Sequence, residues 1–175
     1  MPSVRPEGTE GPNPVRILTV CLGNICRSPT AEAAIVDAAR QASVAVAVDS
    51  AGTSSYHVGE SPDRRMVAAA RKVGLRLRGR GRKVAEDDFR QFDLIVAMDA
   101  ANEERLRSLA PPDATAEIAR FRSFDPDGGV HSDVPDPYFG GTQGFDVVVD
   151  ICRRTAAGLV DAIASGEVRP DNWDN

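Results

Sequence analysis

The sequence predicts an α/β fold: a single-domain three-layer α/β/α sandwich around a central four-stranded parallel sheet. Three observations carry that expectation. Short apolar runs rich in β-branched residues alternate with longer helical segments, which calls for parallel βαβ units with helices on both faces of a sheet. The length of 175 residues suits one domain able to bury roughly two-thirds of its unfolded surface. Hydrophobic residues make up 42% and aromatics only 5%, so the core has to be built mainly from Ala, Val, Leu and Ile.

Residues 15–20, VRILTV, follow Pro14 and read as a buried strand. A turn over residues 21–27 holds Gly23 and Asn24. Ser28 then stands as an N-cap with Pro29 at the first helical position, and the alanine-rich stretch 31–41 continues the helix. Residues 44–48, VAVAV, form the second strand, and residues 50–59, rich in Gly, Ser and Thr, a loop. A second helix starts near Ser61-Pro62-Asp63 and runs to Lys72, with Gly74 just past its end. Residues 92–98, FDLIVAM, make the third strand, 99–109 the third long helix, and 118–124 a weaker fourth strand. Residues 123–144 hold three prolines and five glycines without periodicity, and long loops of this kind are usually functional or disordered. An amphipathic helix over 145–165 closes a domain spanning 15–165. Residues 1–14 read as a disordered tail and 166–175 as a flexible one.

The net charge of −5 weighs against nucleic acid or an anionic membrane as partner. The three cysteines, Cys21, Cys26 and Cys152, form no secreted disulfide framework and point to a reducing compartment. The N-terminus lacks a charged-then-apolar signal layout, and no apolar run reaches the roughly 20 residues of a membrane helix. A cytoplasmic protein, monomeric or weakly dimeric, is expected.

The turn at 21–28 joins the first strand to the first helix, where α/β folds bind ligands. A loop ending at a helix N-terminus can aim several backbone N–H groups at one point, and the helix dipole adds positive charge there. Gly23 permits unusual backbone angles, and Asn24 tolerates the left-handed region. The amides of Leu22, Gly23, Asn24, Ile25, Cys26 and Arg27 are the candidate phosphate ligands, and Arg27 can return its guanidinium to the same anion. Cys21 sits at the mouth of this nest, where positive charge and amide donors favour a thiolate set for in-line attack on a phosphate ester. Ser28 either donates to that sulfur or caps the helix. Taken alone, C-x5-R is a weak pattern, and Cys21 reads as well as a small buried hydrophobe. Covalent catalysis in such a nest needs no metal or cofactor, and none is expected. His57 and His131 read as surface loop residues.

Residues 20–32, VCLGNICRSPTAE, resemble the signature of low-molecular-weight protein-tyrosine phosphatases almost letter for letter. The resemblance extends over roughly residues 15–165, through DSAGT at 49–53, Pro62-Asp63, Phe92-Asp93, Met98-Asp99 and DPYFG at 136–140. It implies Cys21 as nucleophile, Arg27 as phosphate and transition-state ligand, and Asp136 as general acid and then base. Read from its residues alone, the D-P of Asp136 is a turn initiator. The resemblance also implies an aromatic-ring site at Leu22, Ile25, Tyr56, Tyr138 and Phe139, and a supporting network of Asn24, Ser28 and Ser50. Cys26 takes the place of a cysteine that protects the nucleophile as a reversible disulfide, with a plain core-facing thiol as the other reading. The implied partners are a phosphotyrosine-containing protein, and inorganic phosphate or other oxyanions as product and inhibitor.

The chain departs from that pattern at Gly79, where related sequences carry a His that supports the loop Asn. Around it, Arg76, Arg78, Arg80, Arg82 and Lys83 form a basic run, and residues 86–88, EDD, make a self-paired surface the expectation over a docking patch. Three rivals stand beside the main reading. An arsenate reductase needs further redox cysteines than Cys152 supplies. A phosphoarginine phosphatase tends to carry Thr where Ile25 stands. An inactive phosphotyrosine-binding module conflicts with the joint presence of Cys21, Arg27 and Asp136.

Overall fold

In a computed structural model, which describes residues 13–138 and 140–169, strand β1 (Val15–Cys21) lies at the centre of the sheet. Strands β2 (Val46–Gly52), β3 (Leu94–Ala97) and β4 (Glu117–Arg120) complete it in the order β2-β1-β3-β4, all parallel. Alternation along β1 divides the core. Val15, Ile17 and Cys21 face one apolar cluster, while Leu18 and Val20 face the other. In β3, Leu94 and Val96 join the first cluster, and Ile95 and Ala97 the second. Both faces are therefore dry, which is why these strands read as continuous apolar runs.

Helices α1 (Arg27–Ala42), α2 (Arg64–Arg71) and α5 (Thr142–Ala164) supply the first cluster through residues such as Ile35, Met66, Phe145 and Leu159. The short α3 (Asp88–Gln91) and α4 (Ala100–Leu109) supply Phe89 and Leu106 to the second. This is the expected three-layer sandwich. No helix among the described residues is long and apolar enough to cross a membrane. Val168, beyond α5, packs against the core, and its amide donates to Ala162 O at 3.1 Å.

Four local expectations are corrected. The second strand runs to Gly52 because Asp49, Ser50, Ala51 and Gly52 pair in register with Leu18, Thr19, Val20 and Cys21, so tertiary pairing overrides their weak β preference. Ser28 does not cap α1: the cap position is Cys26, without a capping side chain, and Pro29 is the third helical residue. The fourth strand stops at Arg120, and a 3-10 turn takes over Phe121–Phe124. The helix Asp88–Gln91 lies where no element was expected.

Candidate active site

The loop between β1 and α1 turns its carbonyls outward. Cys21 O accepts from Thr53 N at 2.9 Å, Leu22 O from Ser54 N at 3.0 Å, Ile25 O from Asp63 N at 2.8 Å, and Cys26 O from Thr30 Oγ1 at 2.8 Å. With the carbonyls engaged by the surrounding shell, the amides face the other way. Among the described residues no protein acceptor takes the N–H of Leu22, Gly23, Ile25 or Cys26. They gather at the head of the 16-residue α1, whose first-turn amides and dipole add to the same electropositive cup. Gly52 is required beside this cup: a Cβ there would stand 2.7 Å from Leu22 O.

Cys21 is the last residue of β1, buried at the floor of the loop. Its Sγ receives the Asn24 N–H at 3.2 Å and lies 3.1 Å from Ser28 Oγ. Asn24, 3% exposed with φ of 59°, supports the loop from behind. Its Nδ2 donates to Ser28 Oγ at 2.9 Å and to Ser50 Oγ at 3.0 Å, and its Oδ1 accepts from Arg82 N at 3.0 Å. Ser28 thus accepts from Asn24, and its own proton has two acceptors within reach, Cys21 Sγ at 3.1 Å and Ala51 O at 3.4 Å. Gly79, at the place of the expected His, is exposed with φ of 81° and takes no part; the backbone of Arg82 serves Asn24 instead.

Arg27, 3% exposed, is fixed by three groups. Nη1 donates to Asp99 Oδ2 at 2.6 Å and to Val134 O at 3.1 Å, and Nη2 lies 3.5 Å from Asp136 Oδ2. Burial opposes its charge, but Cys21, Asp99 and Asp136 outweigh burial and raise its pKa above the ordinary value. Asp99 also caps α4, accepting from Asn102 N at 2.8 Å, so one carboxylate holds a helix and the guanidinium. Val134 is tied to β3 through Met98 O at 2.7 Å, which brings the long loop, and Asp136 two residues on, over the cup.

These groups line a pocket of about 200 Å³, walled by Leu22, Gly23, Ile25, Cys26, Tyr56, His57, Asp136 and Tyr138 around Cys21 and Arg27. Tyr56 is 77% exposed at the rim. Phe139 lies outside the described residues. His57 is a half-buried loop residue that also walls the pocket: its ring centroid stands 5.8 Å from that of Tyr138, and its Nδ1 meets Glu60 Oε2 at 2.5 Å. Nothing local in the sequence marked it, since its neighbour Tyr138 comes from a distant loop. His131 is exposed.

The three cysteines are free. Burial, followed by Asp63, Cys21 and Asp136, pushes the Cys26 thiol up to about 12. Burial also pushes Cys152 up. Of the basic run, Arg82 pairs with Asp88 at 2.9 Å and Asp49 at 3.0 Å, and Arg80 donates to Gly59 O at 2.9 Å. The self-pairing expected of the run is therefore local to Arg82, and Lys83 bridges Gly52 through its backbone.

A family model for low molecular weight phosphotyrosine protein phosphatase matches residues 16–168. A low molecular weight protein-tyrosine-phosphatase of Streptomyces coelicolor is 40% identical over 152 residues, covering 85% of this chain and 93% of that protein. The low molecular weight phosphotyrosine protein phosphatase of Schizosaccharomyces pombe is 38% identical over 134 residues, 75% of this chain and 85% of its own length. The crystal structure of a protein tyrosine phosphatase from Entamoeba histolytica superposes with a TM-score of 0.83 at 36% identity, covering 87% of this chain and 99% of that one. Sequence and fold agree along the whole described domain, and the chain belongs to the low-molecular-weight phosphotyrosine protein phosphatase family.

Proposed function

We propose that the chain hydrolyses phosphotyrosine in proteins, and small aryl phosphates, through a phosphocysteine formed at Cys21. The observation that carries the reading is a buried sulfur that receives the Asn24 N–H at 3.2 Å and lies 3.1 Å from Ser28 Oγ, in a cup of unengaged amides closed by Arg27. In the first step the phosphoryl oxygens take the amides and the Arg27 fork, and the Cys21 thiolate attacks phosphorus opposite the leaving oxygen. The S–P bond forms as the P–O(aryl) bond breaks, and protonated Asp136 delivers its proton to the departing phenolate. In the second step the Asp136 carboxylate takes a proton from water. The hydroxide oxygen bonds to phosphorus, the S–P bond breaks, and inorganic phosphate leaves with the thiolate restored. Ser28 and the Asn24 amide stabilise the sulfur as nucleophile and as leaving group.

Leu22, Ile25, Tyr56, His57 and Tyr138 supply apolar and aromatic surface around a pocket of about 200 Å³ for a phenyl ring to pack against. A phosphoserine would leave that surface uncovered. Ile25, 7% exposed, offers apolar surface where a phosphoguanidine would need polar contacts, which favours an aryl substrate over phosphoarginine. Inorganic phosphate and other oxyanions are the expected inhibitors, and a reducing cytoplasm suits the free Cys21.

The test is hydrolysis of para-nitrophenyl phosphate in EDTA, with and without Cys21→Ser, alongside phosphotyrosine and phosphoarginine peptides. Turnover in EDTA that Cys21→Ser abolishes, with phosphotyrosine preferred, is the expected outcome. Retained turnover in Cys21→Ser, or a preference for phosphoarginine, overturns the reading.

A further inference from the structure

We propose that Arg65 is a positioning residue that fixes the general-acid loop over the phosphate cup, an inference resting on the assignment of Asp136 as general acid. Asp63 is bound to the cup itself, since its N–H donates to Ile25 O at 2.8 Å. Its carboxylate caps α2 and grips Arg65 as a fork: Oδ1 accepts Arg65 N at 2.8 Å and Nε at 3.2 Å, and Oδ2 accepts Nη2 at 2.9 Å. The same Nη2 donates to Tyr138 O at 3.1 Å. The guanidinium also stands 5.5 Å from the Tyr138 ring centroid and 4.7 Å from that of buried Phe145, the first large apolar residue of α5. Tyr138 N–H in turn donates to Asp136 Oδ1 at 3.1 Å.

These contacts form one continuous path: cup carbonyl, Asp63, Arg65, Tyr138 backbone, Asp136 carboxylate. The loop after Val134 runs V-P-D-P-Y and ends at two glycines before α5, so little secondary structure holds Asp136 in place. Val134 pins one side of the acid through Met98 and Arg27. Arg65 pins the other, and its anchor is the cup that holds the reacting phosphorus. The distance between the acid and the leaving oxygen is thereby set by a strut running from the cup to the acid loop. Proton transfer needs that distance held, and a misplacement of about 1 Å can cost on the order of 100-fold in rate.

The Arg65 side chain is 44% exposed, and exposed ion pairs contribute little to stability. Its removal should therefore leave a folded enzyme with a misplaced acid. The experiment measures kcat/KM for aryl phosphates whose phenols run from strongly to weakly acidic, in wild type, Arg65→Ala, Arg65→Lys, Asp136→Asn and the Arg65→Ala/Asp136→Asn double variant. Inhibition by inorganic phosphate and thermal midpoints are measured in parallel. Arg65→Ala is expected to lose roughly 10- to 100-fold on the most weakly acidic phenols and less than about threefold on the most acidic, with phosphate inhibition unchanged. Arg65→Lys, keeping one donor toward Tyr138 O, should recover part of the loss. In the Asp136→Asn background, Arg65→Ala should add less than about threefold, because both changes act on one proton transfer.

Uniform loss across all phenols in Arg65→Ala, or full additivity in the double variant, overturns the proposal while leaving Asp136 as the acid. If Asp136→Asn itself shows no dependence on the leaving group, the acid assignment and the strut fall together.

Discussion

Asn24 offers a quantitative test of how the cup is held. Its side chain makes three hydrogen bonds, to Ser28 Oγ at 2.9 Å, to Ser50 Oγ at 3.0 Å and from Arg82 N at 3.0 Å. Its backbone adopts a φ of 59°. Two substitutions separate these contributions. Asn24→Gly accepts the positive φ and loses only the hydrogen bonds, each with a net worth of ~1 kcal/mol and here with buried partners left behind, so a loss of ~3 kcal/mol is expected. Asn24→Ala loses the same bonds and adds the ~1–2 kcal/mol that a left-handed Cβ costs, for a total near ~4–5 kcal/mol. Against a typical stability of about 5–15 kcal/mol, both variants should still fold at 25 °C. Urea unfolding at pH 7 measures the stabilities, and kcat/KM on an aryl phosphate measures the cup. Both variants should lose on the order of 10- to 100-fold in kcat/KM, because Ser28 and the Asn24 amide no longer meet the sulfur squarely. The reasoning fails if Asn24→Gly unfolds within about 0.5 kcal/mol of wild type, or if Asn24→Ala proves the more stable of the two.

Three further outcomes are expected. Iodoacetamide at pH 7 should label Cys21 and spare Cys26, whose thiol sits up near 12, and buried Cys152; mass spectrometry of the digested protein reads this, and equal labelling of Cys26 would contradict it. Gly52→Ala should lower kcat/KM at least about tenfold, because its Cβ would meet the Leu22 carbonyl, a backbone atom that cannot rotate away, at 2.7 Å; a wild-type rate would refute the close approach. Burial pushes Glu32 up from 4.5 to about 7, with Ser50 pulling down, Asp49 pushing up and Arg82 pulling down. A carboxyl raised on folding favours the folded state fully below pH 4.5, and that contribution is lost as the pH climbs through about 7. The gap converts to at most ~3 kcal/mol, and to about half that after solvent screening, so Glu32→Gln should gain ~1–2 kcal/mol on wild type between pH 5 and pH 8. Urea midpoints at the two pH values that move in parallel would show that Glu32 does not titrate there.

What the sequence disclosed and what it withheld follow from the range of the interactions involved. Strand β1, the Gly-Asn turn and the Ser-Pro helix start are local patterns, and they sufficed to put Cys21 and Arg27 on one strand-to-helix bend. The partners that orient Arg27 are not local: Asp99 lies 72 residues away and Val134 107 residues away, joined only by the crossover through β3. Asp136 carried a turn signal of its own, and only the family resemblance assigned it chemistry. Ser28 was open between cap and sulfur ligand because a hydroxyl suits both. Asn24 Nδ2 occupies the Ser28 oxygen, and the closer of the two groups within reach of the Ser28 proton is Cys21 Sγ, at 3.1 Å against 3.4 Å for Ala51 O. The departure at Gly79 follows the same logic. In this chain Asn24 receives the Arg82 backbone N–H, which any residue type can supply. Such a backbone support leaves no mark in the sequence, and Asn24 makes its three hydrogen bonds while Gly79 stands exposed.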